Sequence, residues 1–104
     1  MLVLDEPTVS LDIRHEMELF ELVRNLVDAG MGGLVVTHQL NLAARFADEI
    51  VLLDRDRVVR AGPPADVLTA DVVAQVFDWP VAVTPWREGS PQIVPLRPRE
   101  FPQP

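Results

Sequence analysis

Two adjacent carboxylates, Asp5 and Glu6, close the apolar run Leu2-Val3-Leu4, and Pro7 and Thr8 follow at once. Magnesium takes one or two protein carboxylates and keeps several of its waters. A second acid beside it can orient a water against a nucleotide phosphate, so the pair suits metal-assisted attack on a phosphoryl group. Asp12, after Leu11, and His38, after the run Leu34-Val35-Val36-Thr37, are the further candidates. His15 falls on the polar side of a helix and reads as an exposed residue. His15-Glu16 also opens like HExxH, but Leu19 stands where the second histidine belongs, so no zinc-protease site is present.

These residues need a scaffold, and the apolar pattern supplies one. Leu2-Val3-Leu4 reads as a buried strand of a parallel sheet, a fold type in which ligands collect at strand C-termini. The spacing of Ile13, Met17, Phe20, Val23 and Val27 predicts a helix from Asp12 to Asp28, capped by Asp12 and ended by Gly30. The β-branched run 34–37 predicts a second buried strand, with Gly32-Gly33 as the turn into it. Strand, helix and strand at this distance make a parallel βαβ unit.

Beyond His38 the pattern predicts a short helix over 40–47, then strands over 49–53 and 57–61 joined as a hairpin through Asp54-Arg55-Asp56. Asp56 there occupies a position that glycine would fit more easily. Pro64 opens a helix over 65–68, and Thr69 caps another over 70–77. Seven prolines fall between Pro80 and Pro104. Residues 81–84 and 92–94 can pair as a hairpin across 88–90, and the stretch from Arg97 is expected to be a loose tail.

Composition bounds the partners. The chain has 104 residues, 48% hydrophobic and 24% charged, the balance of one globular domain. A net charge of −7 argues against nucleic-acid binding, and the same balance assigns Phe77, Trp79 and Trp86 to core or interface packing rather than base stacking. Cysteine is absent, which excludes disulfides and thiolate metal sites. No apolar run is long enough to cross a bilayer, and Met1 leads into the first strand without a secretory signal pattern, so a cytoplasmic location without membrane insertion is expected.

Asp5-Glu6-Pro7-Thr8 with Leu11-Asp12, followed by Thr37-His38 after a buried strand, resembles the ATP-binding subunit of ABC transporters. The order and spacing match that family's Walker B motif, D-loop and switch histidine over residues 1 to about 78. The resemblance implies an α/β fold, the C-terminal part of a P-loop NTPase (ABC ATPase) domain: parallel strands with helices, plus a C-terminal hairpin. It implies ATP and Mg²⁺ as cofactors, with Asp5 holding Mg²⁺ through water, Glu6 polarising the attacking water and His38 sensing the γ-phosphate. Asp12 would touch the second ATPase subunit of a homodimer, and Pro7 and Thr8 would shape the turn after the strand. Permease subunits would be the other partners, and the location would be peripheral, at the inner face of the cell membrane. Leu11-Asp12-Ile13-Arg14-His15, His38-Gln39-Leu40-Asn41-Leu42-Ala43, Ala61-Gly62-Pro63-Pro64 and the segment from Trp79-Pro80 to Pro95 resemble importers of iron-siderophores, haem or cobalamin. The expected division is 1–78 as the ATPase part, 79–96 as a hairpin extension and 97–104 as a flexible tail.

Against this stands what the residues do not include. All nine basic residues are arginine, and a phosphate-binding loop needs a lysine as well as closely spaced glycines. Glycines 30, 32, 33, 62 and 89 form neither that loop nor the family's signature motif, and the glutamine loop is also missing. In the family a strand bearing the phosphate loop lies beside the one ending at His38, so its absence predicts open strand edges and exposed apolar surface. The expectation is a fragment that is inactive by itself. The alternative is a non-catalytic remnant or interaction module that pairs with a separate N-terminal half or an intact ATPase. An ABC ATPase of DNA repair or translation is a third reading, made less fitting by the segment 79–96.

Overall fold

In the computed structural model the short apolar runs Leu2–Leu4, Leu34–Val36 and Ile50–Leu53 each lie in a strand. It describes residues 1–7 and 10–101, so Thr8 and its expected part in the turn lie outside the described residues. The described chain divides into two units, Met1–Leu42 and Ala43–Pro104.

In the first unit β1 (Leu2–Asp5) leads to α1 (Ile13–Asp28) and then β2 (Gly33–Val36). The strands are parallel, with Leu2 opposite Gly33 and Asp5 opposite Val36. Asp12 caps α1 by accepting the His15 N–H, and Gly30, at φ 109°, takes the chain off the helix. Phe20 is the buried anchor of α1. A Cβ at Gly33 would sit 3.0 Å from Val27 Cγ2, so this glycine permits close approach of β2 to α1. The helix therefore covers the face carrying Leu2, Leu4 and Val35, which are half-buried. The opposite face carries Val3, Leu34 and Val36, exposed by 59%, 53% and 49%. An apolar strand face of this kind is surface that a further packed layer would cover.

The division between units falls inside α2 (Leu40–Phe46). The second unit then forms an antiparallel hairpin from β3 (Ile50–Asp54) and β4 (Arg57–Gly62). Its two turn residues, Arg55 and Asp56, have φ of 51° and 63°. Positive φ at both positions is what a two-residue hairpin with right-handed strand twist requires, even without glycine. The pairing slips between Leu52 and Leu53, a bulge that leaves Val59 between the partners Val58 and Arg60.

Ile50 and Leu52 point to one side of this hairpin and join the core of the second unit with Val67, Leu68, Val72, Val73 and Ile93. Pro64 opens α3 (Pro64–Val67), where its missing N–H costs nothing. Thr69 caps α4 (Ala70–Phe77), accepting the Val72 N–H at 3.4 Å, and Asp78 closes it in the left-handed region. Thr69→Ala is expected to lower stability by about 0.5–1 kcal/mol, the low side for a lost cap because this bond is long. Urea unfolding should show that loss and should show little change for Thr69→Ser.

β5 (Val81–Pro85) and β6 (Pro91–Pro95) pair antiparallel across the turn Arg87–Gly89. Prolines 85, 91 and 95 occupy strand ends, where a missing donor is tolerated. Trp79 Nε1 donates to Leu96 O at 2.8 Å, and its ring meets Phe101 edge-on at 5.4 Å. In the stretch from Arg97, a single 3₁₀ turn spans Pro98–Glu100, with Arg97 N–H donating to Glu100 Oε1 at 2.8 Å.

Candidate functional site

The parallel pairing of β1 with β2 carries their C-terminal ends to the same place. Asp5 is opposite Val36 in the ladder, and Glu6 N–H donates to Val36 O at 2.7 Å. The chain turns at Glu6, whose φ of 51° lies in the left-handed region. A non-glycine residue held there is uncommon and carries strain of order 1 kcal/mol. Thr37 Oγ1 accepts the Gln39 N–H at 2.9 Å and His38 O accepts the Leu40 N–H at 3.0 Å, so the turn around His38 is fixed on both sides.

These two turns bring His38 Nε2 to 3.1 Å from Glu6 Oε1. The Glu6 side chain is 32% exposed and that of His38 is 85% exposed. A carboxylate held at the end of a sheet, beside an imidazole open to solvent, can accept a proton from water while the imidazole donates to an anionic oxygen. Asp5, on the exposed alternation of β1 with Val3, presents a carboxylate at the same strand end. Among the described residues no cluster of three or more metal-ligating side chains occurs. Magnesium beside a nucleotide needs fewer protein ligands than that, and the single Asp5 carboxylate suits a water-mediated hold.

Asp12 takes a different place. It stands at the N-terminus of α1 with Oδ1 accepting the His15 N–H at 2.9 Å. His15 Nδ1 lies 2.9 Å from the same oxygen. The sequence reading assigned His15 no partner; its spacing of three from a helix-capping acid was the available signal.

The chain is similar to known proteins over most of its length. The chain is 44% identical over 95 residues to hemin import ATP-binding protein HmuV of Rhodopseudomonas palustris, covering 91% of this chain and 35% of the relative. It is 42% identical over 98 residues to hemin import ATP-binding protein HmuV of Streptomyces coelicolor, covering 93% of this chain and 35% of that protein. An inward-facing conformation of a metal-chelate type ABC transporter superposes with a TM-score of 0.78 at 25% identity, over 95% of this chain and 41% of the other. The chain carries a segment of an ABC-transporter ATPase subunit. This ABC ATPase segment spans about a third of the length of the curated relatives it matches. No family model matches it.

Proposed function

We propose that the ABC ATPase segment serves the nucleotide-hydrolysing subunit of an importer, with haem, an iron-siderophore or a cobalamin as cargo. The observation that carries the reading is the 3.1 Å approach of His38 Nε2 to Glu6 Oε1 at adjacent strand ends, in a chain 44% identical to a hemin import ATP-binding protein.

In this reading Glu6 orients a water and accepts its proton as the water oxygen bonds to the γ-phosphorus and the bond to the ADP oxygen breaks. His38 donates from Nε2 to a γ-phosphate oxygen, and its exposed ring has room to turn from Glu6 to that oxygen. Asp5 would be the residue that holds a magnesium ion through water. When bound, that ion supplies positive charge against the phosphate oxygens. Asp12 contacts a second ATPase subunit, and permease subunits complete the assembly at the inner face of the membrane. Among the described residues no helix is long and apolar enough to cross a membrane. Residues 1–78 form the ATPase part and 79–96 an added hairpin; of the expected tail 97–104, residues 102–104 lie outside the described residues.

The test is a chimera in which the 95 matched residues of this chain replace the aligned third of the Rhodopseudomonas palustris relative. ATP-dependent phosphate release is expected from the chimera. Without the rest of a subunit the 104-residue chain is expected to release none, because it has no lysine to reach the phosphates. A silent chimera beside an active parent would overturn the reading. The exposed face of Val3, Leu34 and Val36 favours a second reading, an interaction module that pairs with a separate half; stable capture of that relative's remaining two-thirds without phosphate release would support it.

A further inference from the structure

Asp12 Oδ1 receives both groups that His15 brings to it, the backbone N–H at 2.9 Å and the ring nitrogen Nδ1 at 2.9 Å. Two lone pairs repel at such a separation, so Nδ1 carries a proton beside the carboxylate. The nearest cation in sequence does not compete, since Arg14 is paired with Glu18 at 3.0 Å. Both partners remain largely in solvent, with Asp12 67% and His15 62% exposed. An exposed pair of this kind adds little to stability. Its effect is on direction: two groups on one oxygen restrict the rotation of the Asp12 carboxylate and leave Oδ2 as the oxygen for a donor from outside the chain.

We propose that His15 is a positioning residue for Asp12, holding the carboxylate through Oδ1 so that Oδ2 is presented to the second ATPase subunit. The subunit contact rests on the reading of Asp12 given above; the hold on Oδ1 does not. A helix-capping aspartate needs only backbone donors, so the ring contact is additional to the cap.

Imidazole ¹⁵N spectra of the 104-residue chain, at a pH where the ring is neutral, test the hold directly. The expected result is the Nδ1–H tautomer for His15, against the Nε2–H form that free histidine prefers, and a return to Nε2–H in Asp12→Ala. An Nε2–H ring in the unaltered chain would overturn the proposal. In the chimera, His15→Ala is expected to lower phosphate release about fivefold, the scale of one ordinary net hydrogen bond. His15→Asn should restore it, since the asparagine Nδ2 takes the place of Nδ1, and His15→Gln should not, because its amide lies one bond further out. An unchanged rate in His15→Ala, or equal rescue by glutamine, would overturn the positioning role. A silent unaltered chimera would count against the ATPase reading, and the tautomer would then decide the hold on Asp12 by itself.

Discussion

Replacing Glu6 by glutamine in the chimera is expected to lower phosphate release by about 10²–10⁴-fold while ATP binding persists. The substitution keeps the volume, the backbone requirement at φ 51° and an oxygen that His38 Nε2 can approach. It removes only the negative charge and the ability to take a proton from water. Loss of rate with unchanged binding therefore reports on proton acceptance and not on a collapsed turn. Circular dichroism should be unaltered, and the Michaelis constant for ATP should stay within about threefold, since uniform binding is left in place. A rate for Glu6→Gln within about threefold of the unaltered chimera would remove Glu6 from the chemistry. The 3.1 Å contact with His38 would then be a surface pair.

The residues around that contact show which parts of the site could be read from the chain. Continuous apolar runs ending at Asp5 and Thr37, with a capped helix between them, are local signals, and they led to parallel strands and to Glu6 and His38 at neighbouring ends. Asp12 as a cap and Gly30 as a helix stop are local in the same sense. The left-handed backbone at Glu6 was not readable, because nothing in Asp-Glu-Pro requires φ of 51°; it arises where the Glu6 N–H meets Val36 O, thirty residues on. The bulge at Val59 likewise depends on how β4 meets β3, and the bond from Trp79 to Leu96 joins positions 17 apart. Val3, Leu34 and Val36 look like core residues in the sequence because strand composition suits cover on both faces. Within the first unit α1 covers one of them. The Asp12–His15 approach was within reach of sequence reasoning, since it spans a single helical turn, but a polar-face histidine ordinarily has no partner to find.

The second large effect is expected at Leu68, where replacement by alanine should lower stability by about 2–5 kcal/mol. Leu68 follows α3 and immediately precedes the Thr69 cap of α4, so its side chain sits where two helices change direction. It is 1% exposed, and Val67 and Val73 are buried to the same degree, at 0% and 1%. Backbone geometry there is held from both sides, by the Leu68 N–H on Pro64 O at 2.9 Å and the Val73 N–H on Thr69 O at 3.0 Å. A cavity at such a junction has little freedom to collapse, which places the loss toward the upper part of the range. Domains of this size have only about 5–15 kcal/mol in total, so the variant should lose much of its margin. Trp79 and Trp86 both belong to the same unit as Leu68, so tryptophan fluorescence in urea reads that unit's unfolding without contribution from the first. Leu53→Ala provides the control: Leu53 is of equal size but 58% exposed, and its midpoint should move little. Equal shifts for the two variants would mean that Leu68 is not at the centre of this core.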